Sequence, residues 1–338
     1  MKKSQGSTFA ARVQRALAGC GLPAALTVAM LAAPGAAQAA YPEKPITLIV
    51  PWAAGGGTDS VARSIASALE KELGVIVNVV NRTGGSGVVG HTAMSTARPD
   101  GYTLGLITGE LTMMHWQGLT KLTYQDFMPL GMINSDYAGI QVAANSKYDD
   151  VKSLLADVAK QPKGTLKASG TGQGGIWHIA LAGLLLDQKI AADQITWIPS
   201  QGAAPAMVEL VSGGIDVVPS AIAEGRSMLE AKRSKALVVM GPERNASFPD
   251  VPTLKETVGT DYSIGVWRGI AGPKGLDKEI AAKLETAIEA AFNSASYKDF
   301  MSKQGFGAEY RNSQDFTKFL ADNDAMMGDL IEKVGLKR

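Results

Sequence analysis

Four short segments combine glycine with hydroxyl, amide or small side chains, and each stands between a strand-like run and a helix-like run. They are residues 51–58 (PWAAGGGT), 82–90 (RTGGSGVVG), 169–175 (SGTGQGG) and 199–205 (PSQGAAP). Free backbone N–H groups at such a segment, and the N-terminus of the helix after it, both favour negative charge. One such segment is most simply a plain connection, but four in one chain indicate a site for a carboxylate or phosphate.

None of the four segments is a strong nucleotide-binding motif. The chain contains no G-x-x-x-x-G-K-[ST], and GGGTDS fails the dinucleotide fingerprint because its sixth residue is Ser60. A G-x-G-x-x-G does occur at Gly85, Gly87 and Gly90, but a lone match of this kind is weak. We therefore expect no cofactor.

Residues able to perform catalysis are few. The histidines are His91, His115 and His178, and no H-E-x-x-H, G-x-S-x-G or S-x-x-K motif is present. We expect His178, in an apolar helix, to be packed or bonded to a loop, and His91 to be an ordinary surface residue. Cys20 is the only cysteine and lies in an N-terminal leader that we expect to be removed on export, so the exported chain would contain no disulfide, no thiol nucleophile and no cysteine-ligated metal.

Two charged residues allow two interpretations each. Asp59 follows the first glycine run, where it could order the loop or meet a ligand donor, or simply complement the helix dipole. Arg268 is the one cation in the apolar segment GVWRGIAGP. It could pair with a second ligand carboxylate in a bidentate manner or form a structural ion pair.

The elements that would position these residues alternate between strands and helices, which is typical of an α/β protein with parallel sheets. ITLIV, VIVNVV and YTLGLI read as strands, and a helix with Thr58 as its cap ends at Gly74. A second series begins at GIQVAA, after a less regular stretch, and the tail is mostly helical. Because no proline-rich or charged linker separates the two series, we expect two lobes joined by crossing strands.

Residues 1–40 have the order of a secretory signal peptide: a basic head, an apolar run and a small-residue cleavage motif. We expect cleavage near Ala39 or Ala40, just before Tyr41. An alternative is lipidation of Cys20 in LAGC, although the apolar run follows this cysteine rather than preceding it. The chain has 33 basic and 32 acidic residues, and the leader contains four basic and no acidic ones. The remaining 29 basic and 32 acidic residues give a net charge of −3, which does not suggest nucleic acid as a partner.

Several segments resemble one known family in order along the chain. They are YPEKPITLIVPWAAGGGTDSVAR, VVNRTGGSGVVG, RPDGYTL, QGAAPAMVELVSGGIDVV and FPDVPTLKE. They resemble the tripartite tricarboxylate transporter substrate-binding proteins, the Bug family of the bacterial periplasm. The resemblance implies a type II-like periplasmic-binding-protein fold, with two Rossmann-like α/β lobes and a ligand cleft between them. It further implies lobe boundaries at residues 41–141 plus 265–338 for lobe 1 and 142–264 for lobe 2.

The resemblance also implies which residues bind the ligand. In the family the first two glycine loops hold a carboxylate, and two loops of the second lobe complete the site. The positions that we predict to contact ligand are Trp52, Gly56, Gly57, Thr58, Asp59, Thr83, Gly85, Ser86, Gly87, Ser169, Thr171, Gln173, Ser200, Gln201, Ala203 and Arg268. Arg268 stands where the family often has tyrosine, and Ser200 and Gln201 replace a tyrosine and a lysine. These departures favour a larger or more carboxylated ligand.

The predicted function is that of a periplasmic receptor, not an enzyme. It would capture a di-, tri- or aromatic carboxylate and deliver it, as a monomer, to the membrane subunits of a tripartite tricarboxylate-type secondary transporter. Two alternatives remain at this stage: an exported hydrolase acting on a carboxylate or ester in the same cleft, and a receptor that reports to a sensor kinase.

Overall fold

The computed structural model describes residues 41–338, which pack as a single unit of alternating strands and helices. The strands are β1 Ile46–Val50, β2 Val77–Asn81, β3 Thr103–Thr108, β4 Phe127–Tyr137, β5 Gly139–Ala143, β6 Lys167–Ala168, β7 Thr196–Trp197, β8 Ser234–Val239, β9 Gly265–Pro273 and β10 Arg311–Asn312. The helices are α1 Gly57–Leu73, α2 Val88–Ser95, α3 Val151–Val158, α4 Ile176–Asp187, α5 Ala203–Ser212, α6 Arg226–Glu230, α7 Leu254–Val258, α8 Lys278–Asn293, α9 Ala295–Gln304 and α10 Ser313–Lys333. The predicted signal peptide, its cleavage site and Cys20 lie outside these residues.

A six-stranded mixed sheet, in the order β10-β4-β9-β3-β1-β2, forms the first lobe. β1 pairs in parallel with both β2 and β3, so that Leu48 lies between Val79 and Leu104. The three strands are the predicted ITLIV, VIVNVV and YTLGLI segments, within one or two residues. Their carboxyl ends lie at the same edge of the sheet, where ligands of open α/β sheets bind.

Helices α1 and α8 cover the first lobe because each has apolar residues at helical spacing. Val61, Ile65 and Leu69 of α1 are fully buried in one apolar cluster with Leu284 and Ile288 of α8. α1 ends at Gly74, whose φ of 70° is the left-handed conformation that glycine adopts without strain. This end of the helix is the one that the sequence predicts.

Two small sheets form the second lobe: an antiparallel pair of β5 and β8 and a parallel pair of β6 and β7. The segment at Val217 and Val218 joins them, since Val217 bridges to Ala168 and Val218 to Gln141. The central helix α4 is apolar on all sides and is buried over ten consecutive residues, Ile176 to Leu185. A helix of this composition belongs inside a core.

The two lobes are connected by the long strands β4 and β9, which pair antiparallel in the six-stranded sheet. β4 leads through Ala138 into β5, and Ile264 leads into β9; the N–H of Ala138 donates to the Ile264 carbonyl at 2.9 Å. The stretch before residue 139, expected to be less regular, is irregular up to residue 126 but ends in a strand of eleven residues, β4. The sequence does not predict this strand, because Pro129 and the polar residues 134–136 interrupt the alternation of apolar residues that is typical of a strand.

The residue boundaries of the lobes remain a prediction. β5 lies on the second-lobe side of the crossing because it pairs with β8 and not with the six-stranded sheet. Within residues 41–338, no helix combines the length and the apolar character needed to cross a membrane.

Candidate functional site

The first glycine loop, between β1 and α1, is held in place by Asp59. One carboxylate oxygen of Asp59 accepts hydrogen bonds from the Gly55 N–H and from Arg63, each at 2.9 Å. The other accepts from the Asn81 amide at 3.0 Å, and this amide also donates to the Trp52 carbonyl at 2.9 Å. Burial alone would raise the pKa of Asp59, but the bonds from Arg63, Gly55 and Asn81 hold it below its usual value. Of its possible roles, the structure displays loop ordering.

The second glycine loop is positioned by His91. Its Nδ1 lies 2.8 Å from the Gly87 carbonyl, and its Nε2 accepts a hydrogen bond from the Thr108 N–H at 3.3 Å. His91 is fully buried, so the prediction of an ordinary surface residue is wrong. Burial lowers its pKa to about 4, against the opposing effect of the Gly87 bond. The neutral imidazole thus ties the glycine loop to the end of β3, and Gly87 itself has a φ of 95°.

The two loops of the second lobe are joined at Thr171, whose carbonyl accepts from the Ser200 N–H at 2.9 Å and the Trp197 indole at 3.2 Å. His178 acts within this lobe as the sequence predicts. Its Nδ1 accepts from the Gly174 N–H at 3.0 Å, and its ring stacks on Trp197 with centroids 4.7 Å apart. Burial lowers the pKa of His178 to about 4, so that it too is neutral at pH 7.

Three helices, α1, α4 and α5, point their N-termini at one cavity, and each begins after a glycine without a side-chain cap. Five other helices have a side-chain cap: α3 by Asp150, α7 by Thr253, α8 by Asp277, α9 by Ser294 and α10 by Asn312. The short helices α2 and α6 also follow a glycine without a cap, but their starts do not line this cavity. The predicted capping of α1 by Thr58 is wrong, because Gly56 is the N-cap and Thr58 is the second residue of the helix. Three helix dipoles, from helices without a cap from their own N-cap side chain, therefore converge on one place.

The cavity has a volume of about 20 Å³ and lies between the lobes. Seven of the predicted site residues line it: Trp52, Gly56, Gly57, Thr58, Thr171, Ala203 and Arg268. The other nine do not line it: Asp59, Thr83, Gly85, Ser86, Gly87, Ser169, Gln173, Ser200 and Gln201. Asp59 and Gly87 support the loops as described above.

Three of these nine residues contribute to direct contacts across the cleft. The Ala53 N–H donates to the Gln201 carbonyl at 3.0 Å. The Ser86 hydroxyl donates to the Gln173 carbonyl, also at 3.0 Å. The lobes are thus closed on each other, with loops of one lobe hydrogen-bonded to loops of the other.

Arg268 is buried and forms ion pairs with carboxylates from both lobes. Nη1 donates to Asp136 on the neighbouring strand β4 at 2.8 Å, and Nη2 donates to Glu224 of the second lobe at 2.7 Å. Nε donates to the Thr58 hydroxyl at 3.0 Å. Of the two interpretations of Arg268, the structure displays the ion pair, while the residue still forms part of the cavity wall.

Two acidic residues of the cavity wall, Glu110 and Glu224, were not predicted from the sequence. Glu110 accepts from the Thr108 hydroxyl at 2.6 Å and from the Ile176 N–H at 3.1 Å, so it caps α4 from the other lobe. Burial raises the pKa of Glu110, and it raises that of Glu224 to about 7 despite the opposing charge of Arg268. Each glutamate follows an apolar strand-like run, in TGEL and SAIAEG, which is the signal that could have identified it.

The described residues contain no group of three or more histidine, cysteine or acidic side chains arranged to hold a metal ion. The cavity is instead lined by the starts of three helices, two tryptophans, one arginine and two glutamates, among several apolar side chains. This arrangement can bind a small anion through hydrogen bonds.

Comparison with known proteins identifies a family, and the match covers nearly all of the described residues. A family model described as tripartite tricarboxylate transporter family receptor matches residues 61–336. The protein BugT of Bordetella pertussis is 30% identical over 319 residues, which cover 92% of this chain and 95% of BugT.

Two solved structures have the same fold. A TctC solute-binding protein from Polaromonas, solved without ligand, is 35% identical with a TM-score of 0.64 and covers 87% of this chain and 99% of that one. MatC from Rhodopseudomonas palustris, solved with bound malate, is 26% identical with a TM-score of 0.77 and covers 86% of this chain and 100% of MatC. The predicted two-lobed periplasmic-binding-protein fold is thereby confirmed.

Proposed function

The chain belongs to the tripartite tricarboxylate transporter receptor family, and we propose that it captures a small carboxylate in the cavity between its lobes. The single observation that carries this proposal is the convergence of α1, α4 and α5, three helices whose N-cap residue is a glycine and supplies no side-chain cap. Among the first N–H groups of these helices, in the closed structure of residues 41–338, only that of Ile176 in α4 has a side-chain acceptor, Glu110 from the other lobe. A carboxylate can accept several of these N–H groups at once, and charge-assisted hydrogen bonds of this kind are strong where water is excluded. The bound malate of MatC supports the same class of ligand.

Capture requires the lobes to move. A cavity of about 20 Å³ is near the size that holds one water, so a dicarboxylate enters only when the loops separate. The contacts between Ala53 and Gln201 and between Ser86 and Gln173 would break on opening and re-form around the ligand. The ligand favours closure by the amount that it binds the closed state better than the open one.

The ligand contacts that we propose have two layers. Residues that line the cavity, such as Gly57, Thr58 and Ala203, would touch the ligand directly. Predicted residues outside the wall, such as Ser86 and Gln201, would act by holding the loops together across the cleft.

The proposed role is that of a receptor and not of a catalyst. Both ring nitrogens of His91 and Nδ1 of His178 are bonded to backbone groups, and burial lowers the pKa of each histidine to about 4, so they are poor general bases for a reaction at neutral pH. The binding proteins among the relatives support the same view.

We further propose that the mature protein acts in the periplasm and delivers its ligand to the membrane subunits of a tripartite tricarboxylate-type transporter. The family match and the predicted signal peptide support this location and this partner. Delivery would need no second copy of the chain, in keeping with a monomer.

The test is a binding screen with purified mature protein against mono-, di-, tri- and aromatic carboxylates, read by thermal shift and then by calorimetry. We expect at least one of them to raise the melting temperature and to be recovered intact after incubation. Turnover of the bound compound would favour a hydrolase, and a screen without any binding carboxylate would overturn the proposal. Uptake of the ligand into cells, with and without the gene for the receptor, tests delivery.

A further inference from the structure

The cavity contains more acidic than basic side chains. Glu110 enters its wall from the first lobe and Glu224 from the second, whereas Arg268 is the one basic residue among the cavity-lining residues that the structure describes. All three are buried. Glu110 caps α4 and Glu224 pairs with Arg268, but two ionised acids at this position would still weaken the binding of a ligand that carries only carboxylates, because like charges repel strongly at low dielectric.

Arg268 does not compensate for both acids. Its guanidinium donates to Asp136 at 2.8 Å and to Glu224 at 2.7 Å, so one positive charge is divided between two carboxylates. Glu110 receives only neutral donors, the Thr108 hydroxyl and the Ile176 N–H. If all three carboxylates are ionised, this group carries two negative charges in excess.

Glu224 also retains an unused acceptor. Its side chain is 4% exposed, and its Oε2 has no hydrogen-bond partner among residues 41–338, whereas Oε1 is bound by Arg268. A buried carboxylate oxygen without a donor is unfavourable, and native structures supply such atoms with a partner. The hydroxyl of Thr171, another residue of the cavity wall, is likewise buried without a partner.

Gly57 fixes the place of Glu224 at the N-terminus of α1. A Cβ at residue 57 would lie 2.2 Å from Glu224 Oε1 and 2.7 Å from its Cγ, so the absence of a side chain there allows the glutamate to pack against the helix start. The acid and the anion-binding N–H groups of α1 are therefore neighbours. A ligand held by these N–H groups meets Glu224 within the length of a small molecule.

We propose that the preferred ligand carries an ammonium group beside its carboxylate, as an amino acid does, and that Glu224 is the residue that selects it. This rests on the proposed function, in which the helix N-termini hold the carboxylate. The ammonium group donates to Glu224 Oε2 and offsets the excess negative charge of Glu110 and Glu224. Glu224 is thus a determinant of specificity, while the loops provide affinity for the carboxylate.

An alternative mode of binding is that Glu224 is protonated and donates its own O–H to a second ligand carboxylate. Burial raises the pKa of Glu224 to about 7, an effect that Asp136 and Glu110 increase and Arg268 opposes, so both protonation states are accessible near neutral pH. The two outcomes have opposite pH dependence. Affinity for an ammonium-bearing ligand rises from pH 6 to 8 as Glu224 ionises, whereas affinity for a second carboxylate falls.

The experiment compares ligands that differ only by the amino group: propionate with alanine, succinate with aspartate, glutarate with glutamate, and 3-phenylpropionate with phenylalanine. Calorimetry at pH 7.5 uses the wild type, Glu224→Gln, and a control, Glu209→Gln, whose carboxylate is exposed near the far end of α5. We expect the amino member of at least one pair to bind the wild type about tenfold to a hundredfold more tightly, as one charged hydrogen bond provides. Glu224→Gln should lose this preference, and Glu209→Gln should keep it.

Equal or tighter binding of the amino-free member in every pair that binds would overturn the inference and leave the proposed function intact. A screen in which no carboxylate binds at all would remove the proposed function and this inference together. If Glu224→Gln does not fold, the pH profile of the wild type decides the question: tighter binding of the amino member from pH 6 to 8 supports the inference, and weaker binding overturns it.

Discussion

The carboxylate of Glu110 accepts a hydrogen bond from the backbone N–H of Ile176 at 3.1 Å, so that a side chain of the first lobe caps a helix of the second. α4 has glycine at its own N-cap position and no cap from its own side chains. Closing the lobes therefore completes the helix, and opening them exposes its N-terminus. A ligand that enters the cavity, which Ile176 helps to line, would compete with Glu110 for this N-terminus.

Replacing Glu110 with alanine should destabilise the closed protein. The Ile176 N–H and the Thr108 hydroxyl both lose their buried acceptor, and we expect the free energy of unfolding to fall by about 1–3 kcal/mol. Glu110→Gln, which keeps an acceptor oxygen, should lose less. Urea unfolding measures the change, with Glu72→Ala on the exposed face of α1 as the control. Equal stability of Glu110→Ala and the wild type would contradict the capping role.

Asp59 should be important for the first glycine loop, and Arg63 much less so. Asp59→Ala removes the acceptor of the Gly55 N–H and the Asn81 amide, so we expect a loss of about 1–3 kcal/mol in unfolding free energy and weaker binding of any ligand. Arg63→Ala removes a half-exposed partner, and such pairs contribute about 0–1 kcal/mol. Calorimetry and urea unfolding of the two variants test this order, and a larger loss for Arg63→Ala would refute it.

The parallel core of the first lobe could be predicted from the sequence because its strands are short apolar runs between clear turn signals. Residues 46–50 and the end of α1 at Gly74 agree with the pattern almost to the residue. β4 could not be predicted from a run of apolar residues, since it contains Asn134 and Asp136. These two polar side chains are buried, and both are bonded to Arg268. Polar residues that pair inside a core have no local sequence signal.

The candidate site was predictable in its backbone and not in its side chains. Glycine loops at strand ends identify Gly56, Gly57 and Ala203, because the N–H groups there belong to the chain itself. Glu110 and Glu224 meet in the cavity only through the fold, being 114 residues apart in sequence on different lobes. The burial of His91 likewise depends on the fold, because it is the packing of α2 against β3 that brings its ring to the Thr108 N–H.

The two buried histidines should make the protein less stable in mild acid. Burial lowers the pKa values of His91 and His178 to about 4, whereas the pKa of a histidine in an unfolded chain is about 6.5. Below about pH 6.5 the unfolded state binds protons that the folded state does not. Stability from these groups is therefore complete above that pH and falls towards pH 4, by up to about 1.4 kcal/mol per pH unit for each histidine.

The variant His178→Asn isolates one of these contributions, because an asparagine oxygen can still accept the Gly174 N–H. The difference in unfolding free energy between the wild type and this variant should shrink as pH falls from 6.5 to 4.5. Urea titrations at four pH values measure it. Parallel profiles of the two proteins would contradict a neutral, buried His178.

A methyl group at residue 57 should disturb the site, although a methyl group at residue 56 should not. The Cβ of Gly57→Ala would lie 2.2 Å from Glu224 Oε1, whereas that of Gly56→Ala would make ordinary contacts of 3.5 Å or more. We expect Gly57→Ala to cost about 1–3 kcal/mol of unfolding free energy, as overpacking does, and Gly56→Ala to cost less. Because the clash is with Glu224, Gly57→Ala should cost less in a Glu224→Ala background, and a double-mutant cycle without such coupling would contradict the contact.

A disulfide across the cleft should lock the receptor shut. A Cβ at residue 56 would lie 3.9 Å from the Cβ of Ala204 in the other lobe, close to the about 3.8 Å that disulfides prefer, and Gly56 has an unstrained φ of −81°. The double variant Gly56→Cys/Ala204→Cys, oxidised without ligand, should bind no carboxylate, because the ligand enters only when the loops separate. Reduction should restore binding, and each single-cysteine variant should be insensitive to the reductant. Normal ligand binding by the oxidised, fully cross-linked protein would show that entry does not require this opening.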